Sequence, residues 1–586
     1  MSGSFNFKKA VVVIIISMLI GLIHIYPDLK FIYESGKSFK GITFNATHDA
    51  GIYLGRINSI YNGGLRTIPA IDIYEHRHDS WSLPFLGEFI LGTLGSSLRI
   101  PLNYFKIIFS FFLPIMNFWL IYYLAFLLCN SKHAGLITAC ACTLGYSFFA
   151  NNPLYVYKLL FERESAIQLW FLRPVSPQLN YVLLILSWIF VYFFMLKKKI
   201  LYSLLSGLLI GLFFYIGGVY YFTYFFVFIG IYFCYTLIKR DYAQLKMISV
   251  LLLLIIILAI PFARNYYKLI HLSEYKFLLE RLSFIYGRKP IIPIGIAIIS
   301  LFLAWFHYSR NTRQANFIFF FTCAGFICLN QQLITGRTSQ PSHWQNYMVK
   351  TFAIIALFPT AALCLKNNKY ICVRRKLLTG IAVFSFIFLA ILQQDNYYQR
   401  FKNKFTRMQN LAGPFEWLKK NTKKEDVVLN DAMNFMTGNM PFQQDFLMYT
   451  NNYVYLPAAI NTLVSRDEIE HRYLSALRFF NYSLDDAESF FTYWNGIFFR
   501  GMIAEVSFGG TKIPDSYLLL LKNKYIEFLN EDPFYLLSKY KIDYIILDKS
   551  NLLYGKIDYI YKELIKVYDD GQFKIYKMPI SKDENV

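Results

Sequence analysis

Carboxylates are scarce in the first two thirds of this 586-residue sequence. Residues 1–393 carry 35 Lys and Arg against only 12 Asp and Glu, a net charge of +23. Residues 394–586 carry 24 against 25, a net charge of −1. The basic residues of the first region form short clusters between apolar runs, which is typical of membrane topology. No Lys/Arg stripe of a nucleic-acid reader is present, so we expect no nucleic-acid partner.

Cysteine is absent from the C-terminal region. All eight cysteines lie in or beside apolar runs, and the last of them is Cys372. This distribution argues against a disulfide framework and against a zinc site built from cysteine.

Apolar residues, by contrast, are in excess. Hydrophobic residues make up 56% of the sequence, against about 45–50% in soluble domains. A membrane span needs about 20 mostly apolar residues. The candidate spans are 10–27, 105–129, 134–150, 179–196, 201–217, 219–238, 245–262, 290–307, 315–331, 347–366 and 377–393. The sequence therefore predicts a polytopic α-helical membrane protein with about 11 transmembrane helices, in which the first run is a retained anchor.

The basic clusters predict the orientation of the chain. With the N-terminus in the cytoplasm, every inner connection is basic, as the positive-inside rule expects. These connections contain Lys132-His133, Lys197–Lys199, Lys239-Arg240, Arg310 with Arg313, and Lys366–Lys376. An odd number of spans then places the C-terminal region outside. We expect a multi-pass protein of the bacterial inner (cytoplasmic) membrane, surrounded by membrane lipids.

Two domains are predicted, a transmembrane domain at 1–393 and an extracytoplasmic α/β domain at 394–586, which would be periplasmic or extracellular. In the second domain, residues 427–429, 544–547 and 573–576 are typical of short strands. Residues 465–482, 514–529 and 555–567 are predicted as helices, and Asp569-Asp570-Gly571 as a hairpin turn.

The first outer loop, within 28–104, holds seven of the 12 carboxylates of the transmembrane domain, and none falls inside a predicted span. Ion-coupled transporters usually carry ionisable groups within their spans. In a helix, Asp49 and Arg56 would share one face two turns apart. A carboxylate can accept a proton from an attacking hydroxyl, and a guanidinium can hold a phosphate. A surface salt bridge without a role is the alternative interpretation.

This pattern resembles the GT-C superfamily of membrane glycosyltransferases. The matching motif is Asp49-Ala50-Gly51-Ile52-Tyr53 with Arg56, after a single span. The apolar segment 83–98, predicted as an interfacial helix, is similar to the juxtamembrane helix of that superfamily. The C-terminal region also resembles bacterial members, in Tyr453–Ala458, Ser465–Glu468, Asp543–Asp548 and Tyr568–Tyr576.

The resemblance implies transfer of a sugar from a polyprenyl-phosphate carrier to a glycan or lipid acceptor of the cell envelope, with inversion. It implies that Asp49 is the general base. Many members carry a second acid beside the first, where this sequence has His48, either a helper base or a structural histidine. We therefore expect no metal and no cofactor, with Arg and Lys side chains neutralising the departing phosphate.

Further candidate residues lie in three outer segments. Glu75 and Asp79, in the cluster Glu75-His76-Arg77-His78-Asp79, are backup bases or substrate ligands. A metal site or a solvated loop over the pocket are the other interpretations of this cluster. Pro174 and Pro177 fix Arg173 at the membrane rim as a donor-phosphate ligand.

The third segment, 330–345, is polar and broken by Gly and Pro. Such backbone is tolerated near a membrane where it lines a cavity. Here Arg337 and His343 are candidate phosphate ligands and Gln340 is a substrate-binding candidate. Tyr53 of the first outer loop is a further substrate-binding candidate. Trp344 is a stacking surface for a sugar or an interfacial anchor.

Two other functions stay open from the sequence. One is a non-catalytic lipid-glycan flippase or transporter, which would need a polar path through the spans. The other is a protein-directed oligosaccharyltransferase, which the missing second acid at position 48 disfavours.

Overall fold

The structure is a computed structural model. It describes residues 7–44, 50–63, 73–150, 154–162, 169–217, 219–281, 284–293, 295–308, 312–365, 369–430, 446–456, 463–493 and 515–579.

In the residues that the structure describes, the N-terminal part consists of helices and one two-stranded antiparallel sheet. Its helices are α1 Phe7–Ser35, α2 Ala50–Tyr61, α3 Leu86–Leu98, α4 Leu102–Cys129, α5 Lys132–Thr143, α6 Tyr146–Ala150, α7 Leu154–Tyr157, α8 Gln178–Lys197, α9 Ile200–Ile216, α10 Val219–Ile238, α11 Tyr242–Leu269, α12 Ser273–Arg281, α13 Ile296–Tyr308, α14 Arg313–Leu329, α15 Gln332–Thr335, α16 Pro341–His343, α17 Thr351–Cys364 and α18 Lys369–Met408. Strands β1 Phe284–Tyr286 and β2 Arg337–Ser339 pair antiparallel. A π-helix, Trp344–Lys350, connects α16 to α17.

Eight helices in the described residues are long and apolar enough to cross a membrane. Two further apolar helices, Ile200–Ile216 and Ala297–Tyr308, are shorter. The predicted span 134–150 is divided in the structure, because α5 ends at Thr143 and a separate five-residue helix follows. A many-spanning helical protein is therefore confirmed, whereas the count of 11 stays a prediction. The predicted interfacial segment 83–98 forms a helix, α3.

The basic connections predicted to lie inside meet at one end of the helix bundle. Lys198 pairs with Asp241, and Arg313 donates to Leu196 O at 3.0 Å. His133 contacts Thr379 Oγ1 at 3.1 Å. The first two pairs join three connections to one another, and the third joins the other two. The Tyr192 hydroxyl donates to Leu127 O at 2.8 Å near the ends of α8 and α4, which brings both groups to one side of the bundle, as their shared basic character predicts.

Polar side chains cap the N-termini of helices at this end. Ser131, Asp241 and Thr312 each accept a hydrogen bond from a backbone N–H three residues later. Such N-caps satisfy amides that have no partner within the helix. Short turns with a capping residue thus reverse the chain between neighbouring spans.

Helices α1 and α18 run parallel along one side of the bundle. Lys30 contacts Asp395 at 2.6 Å, and further along both helices Glu34 contacts Lys402 at 2.5 Å. A parallel first and last span is what an odd number of spans requires. Both helices continue past the predicted span ends at 27 and 393, and the predicted domain boundary falls inside α18.

The C-terminal part is an α/β domain, as predicted. It contains α19 Ala412–Asn421, β3 Val427–Asn430, β4 Tyr453–Val454, α20 Arg466–Phe479, α21 Leu484–Tyr493, α22 Asp515–Leu529, α23 Pro533–Ser538, β5 Tyr544–Asp548, α24 Ile557–Ile560, β6 Ile565–Asp569 and β7 Phe573–Lys577. The sheet has the order β4-β3-β5-β7-β6, with parallel pairs on β3 and antiparallel pairs on β7.

Both faces of the sheet are buried along β3 and β5. Side chains alternate along a strand, so Val428 and Ile546 pack towards the helical region while Val427 and Ile545 pack against α20 and its neighbours. The domain is therefore joined to the helix bundle through a continuous apolar core.

One predicted helix is wrong. Residues 555–567 form only the four-residue helix α24, followed by strand β6. Lys566 and Tyr568 pair with β7 across the predicted hairpin turn, in which Gly571 has φ +83°. Pairing with a neighbouring strand outweighs the local helical pattern.

A buried ion pair joins α1 to α4. Lys106 Nζ lies 2.7 Å from both carboxylate oxygens of Asp28 and 2.8 Å from Phe44 O. Asp28 also accepts a hydrogen bond from the Phe44 amide at 3.1 Å. Both side chains are almost fully buried, so each charge depends on the other for compensation.

We expect Lys106→Met to destabilise the protein by about 3–5 kcal/mol, because it leaves the Asp28 carboxylate buried without a counter-charge. Thermal unfolding of the purified protein in detergent measures this loss. Adding Asp28→Asn should recover most of it, and Lys37→Met, at an exposed position, is the control. Equal unfolding midpoints for Lys106→Met and Lys37→Met would contradict a structural role for the pair.

Candidate active site

Arg173 joins three distant segments of the chain. Its Nη1 donates to the Tyr347 hydroxyl at 2.5 Å, and its Nη2 donates to the Tyr53 hydroxyl at 2.9 Å. The guanidinium carbon also lies 5.2 Å from the centre of the Tyr53 ring. Helix α2, the loop before α8 and the π-helix before α17 therefore meet at this side chain.

The loop carrying Arg173 is held in place from several directions. Val175 has φ +61°, a left-handed conformation that a β-branched residue rarely adopts. A Cβ at Gly87 would lie 2.6 Å from Val175 Cγ1, so glycine allows α3 to pack closely here. Gln178 donates to Phe171 O at 2.6 Å. Fixed backbone of this kind gives Arg173 a defined position at the end of the helices.

Aromatic side chains continue the site beyond Arg173. The ring of His343 stacks on Tyr347 at 5.1 Å between ring centres and on Tyr220 at 5.8 Å. The Tyr220 hydroxyl donates to Gln340 Oε1 at 2.6 Å. We call the set Tyr53, Arg173, Tyr220, Gln340, His343 and Tyr347 the arginine cluster.

Trp344 borders this cluster but is fully buried. Its indole packs edge-on against Tyr220, with ring centres 4.9 Å apart. Its predicted roles, a stacking face for a sugar or an interfacial anchor, stay predictions, and both would require the enclosed indole to become accessible. Trp344 begins the π-helix, a rare conformation that is frequent at functional sites.

Asp49 and His48 lie outside the described residues, so their placement is not described. Asp49 is the residue immediately before α2, and Tyr53 follows it by four positions. The predicted helix around Arg56 is confirmed from Ala50 onward.

The Arg56 guanidinium already forms an ion pair with a carboxylate of the protein itself. Its Nη1 lies 2.7 Å from Glu88 Oε1, and its Nη2 donates to Pro84 O at 3.2 Å. Both charged side chains are buried. In this structure, Arg56 therefore ties α2 to α3. Its role as a phosphate ligand stays a prediction, and it would require exchange of Glu88 for the phosphate.

Glu75 and Asp79 are directed to the C-terminal domain instead of the arginine cluster. Glu75 pairs with the buried Arg472 at 2.7 Å. His76 bridges Asp79 at 2.6 Å and Glu468 at 2.9 Å. Within the described part of the chain, no group of three or more His, Cys, Asp or Glu side chains is arranged to hold a metal ion.

Arg337 is exposed on β2, where it pairs with Tyr286 of β1. None of the contacts described for it joins the arginine cluster. Five predicted positions therefore meet at or beside this cluster, namely Tyr53, Arg173, Gln340, His343 and Trp344.

Sequence analysis did not identify Tyr220 and Tyr347, which connect the predicted residues to one another. With 46 tyrosines in the chain, no composition signal distinguishes these two. The spacing of four between His343 and Tyr347, which stacks side chains on one helical face, was the available clue.

A guanidinium between hydroxyls is suited to bind an anion. Arginine can bind two oxygens of a phosphate at once, and tyrosine hydroxyls add further hydrogen-bonding capacity. The arginine cluster is thus a candidate phosphate site at one end of the membrane helices.

No protein-family model matches this sequence, and no curated protein matches it. Among solved structures, the chain is similar to the crystal structure of ArnT from Cupriavidus metallidurans bound to undecaprenyl phosphate. The similarity covers 98% of this chain and 99% of that chain, with 10% sequence identity and a TM-score of 0.42. A function must therefore be inferred from the residues of this chain.

The His76 bridge predicts a pH-dependent contact between the loop and the C-terminal domain. Burial alone would lower the pKa of His76, but hydrogen bonds to Asp79 and Glu468 outweigh it and raise the pKa to about 9. A raised pKa stabilises the folded protein fully below the unfolded value of 6.5. This contribution is lost as the pH rises through about 9.

We therefore expect His76→Gln to lower the thermal unfolding midpoint at pH 6.5, with the difference from the unchanged protein vanishing above about pH 10. Unfolding midpoints between pH 6.5 and 10 test this. His78→Gln, two residues away and exposed, is the matched control. A difference that stays constant across this range would show that charge on His76 is not its cause.

Proposed function

We propose that this chain is a membrane glycosyltransferase that transfers a sugar from a polyprenyl-phosphate carrier to a glycan or lipid acceptor of the cell envelope. The observation that carries the proposal is Arg173 held between Tyr53 and Tyr347 at the end of the membrane helices. Arg173, the proposed phosphate-binding cation, lies beside the helix that Asp49 precedes. The motif resemblance around Asp49 supports the same function.

The proposed reaction is a single displacement. The Asp49 carboxylate takes the proton from an acceptor hydroxyl, whose oxygen then attacks the anomeric carbon of the donor sugar. The bond from that carbon to the phosphate oxygen breaks, and its electron pair stays on the polyprenyl phosphate. One displacement inverts the anomeric centre.

Arg173 would stabilise the phosphate as negative charge develops on the leaving oxygen. His343, Gln340 and Tyr53 belong to the same cluster and are the next candidates for contact with the donor. Arg56 and Arg337 are further proposed phosphate ligands. Among the proposed accessory groups, His48 is a helper base, and Trp344, Glu75 and Asp79 bind substrate.

We place the reaction on the outer face of a bacterial inner membrane. The contacts of Glu75 and His76 with the C-terminal domain support one shared side for that domain and the first loop. The N-terminus would then be cytoplasmic.

We expect Asp49→Asn to reduce transfer by about 10²–10⁴-fold, since it removes the base. Arg173→Gln should reduce transfer by about 10²–10³-fold, since it removes charge stabilisation of the leaving group. The assay uses purified protein with radiolabelled polyprenyl-phosphate hexose and pentose donors and a total envelope lipid and glycan extract as acceptor.

Asp467→Asn and Arg407→Gln, at exposed positions, are matched controls that should keep full activity. Full activity of Asp49→Asn would overturn its assignment as the base. Translocation of a lipid-linked sugar across reconstituted vesicles without any covalent transfer would instead favour a flippase.

We also propose that catalysis needs no metal ion. The residue beside Asp49 is His48, so the adjacent acidic pair that would favour a divalent cation is missing. Prolonged treatment with EDTA should leave the rate of transfer unchanged. Loss of activity that Mg²⁺ or Mn²⁺ restores would contradict this proposal.

A further inference from the structure

A polar cleft lies between α2 and the C-terminal domain. It is lined by Asn58, Asn62, Lys424, Asn451, Asn452 and Tyr453, and we call it the asparagine cleft. Its space amounts to about 360 Å³ when the open mouth is included. Nothing in the proposed transfer reaction uses these residues.

The cleft lies on a different face of α2 from the arginine cluster. Within α2, Tyr53 and the cleft residue Asn58 are five positions apart, which places them about 140° from each other around a helix of 3.6 residues per turn. Tyr53 contacts Arg173, whereas Asn62 donates to Asn451 Oδ1 at 2.9 Å. A ligand in the asparagine cleft would therefore be separate from the donor phosphate.

The wall of the cleft is rigid. A Cβ at Gly55 would lie 2.7 Å from Leu447 Cβ, so the two segments are in close contact. Asn58 Nδ2 donates to Leu447 O at 3.0 Å and to Thr450 O at 2.8 Å. These contacts fix the amide groups before any ligand arrives, which limits the entropy lost on binding.

One acceptor in the cleft lacks a donor. Asn452 is 4% exposed, and its Nδ2 donates to Thr422 Oγ1 at 2.8 Å and Lys423 O at 2.9 Å. Its Oδ1 has no hydrogen-bond partner among the described residues. A buried acceptor without a donor is unfavourable and rare. This oxygen is enclosed by protein atoms, so a ligand hydroxyl would supply the missing hydrogen bond only after a neighbouring side chain shifts.

The remaining groups define the chemistry of the ligand. Lys424 is exposed and forms no ion pair with the described carboxylates, so it offers a free positive charge at the mouth. Tyr453 contributes an aromatic ring to the wall. Side-chain amides and an aromatic ring suit a ligand rich in hydroxyls, and the ammonium group favours one that carries an acid. A single cation is too little for a nucleic-acid strand.

We propose that the asparagine cleft binds an acidic sugar unit of a glycan, one that carries a carboxylate or a phosphate. Lys424 pairs with the acid group, and Asn62, Asn451 and Asn452 bind hydroxyls. The site holds the glycan away from the reacting centre, against both α2 and the C-terminal domain. Binding here does not depend on transferase activity.

The test is direct binding to the full chain in lipid nanodiscs. A printed panel of neutral, uronate-containing and phosphate-containing oligosaccharides selects the probe, and thermophoresis gives its affinity. We expect an acidic oligosaccharide to bind more tightly than its neutral counterpart. Asn451→Ala should weaken binding by about three- to tenfold, the effect of one lost hydrogen bond. Lys424→Glu should abolish the preference for acid.

Matched controls separate the cleft from the neighbouring surface. Lys423→Glu makes the same charge change one residue away, and Asn530→Ala removes an exposed amide elsewhere in the domain. Both should keep the affinity of the unchanged protein. Arg173→Gln should also keep it, even where transfer is lost, so failure of the proposed function and failure of the cleft are distinguishable.

Three results would overturn the proposal. They are the absence of binding to any panel member at millimolar concentration, a preference for neutral glycans, and equal affinities for Lys424→Glu and Lys423→Glu. Lys423 and Lys424 are both exposed, so we expect their substitution to leave the fold intact. Unfolding midpoints equal to those of the unchanged protein establish that a loss of binding is local.

Discussion

A charge that is buried among apolar helices must be compensated within the protein, and this constraint organises the structure. Asp28 and Lys106 join α1 to α4, and Arg56 and Glu88 join α2 to α3. Breaking either pair would leave an ion in a medium that solvates it poorly. The sparse carboxylates of the helical region are therefore structural partners as well as candidate reactants, and Arg173 differs from these cations in being held by tyrosine hydroxyls.

The same principle connects the first loop with the C-terminal domain. Arg472 is fully buried and forms ion pairs with Glu75 of the loop and with Glu468 of its own helix. His76 adds a second bridge to Glu468. Since α2 also donates from Asn58 to backbone carbonyls of the domain, the helix carrying Tyr53 is held between the membrane helices and the domain.

The strands at 427–429, 544–547 and 573–576 were predictable because short β-branched and apolar runs between turn residues are a local signal. The helix predicted at 555–567 failed because the pairing of Lys566 and Tyr568 with β7 is not visible locally. Glu75 and Asp79 were grouped with the site by sequence proximity. Glu75 pairs with Arg472, 397 positions away, and Asp79 pairs with His76, which contacts Glu468 392 positions further along the chain. No spacing rule links residues at such distances.

Sequence alone determined that the chain spans a membrane many times, where its basic turns lie relative to one another, and that an α/β domain follows. These properties depend on composition and on local periodicity, which each segment carries by itself. Only the tertiary structure decided that Arg173 meets Tyr53 and Tyr347, that Arg56 is neutralised by Glu88, and that Trp344 is enclosed. Such contacts depend on how the helices pack, because a side chain's partner is set by the neighbouring helix and not by its position in the chain.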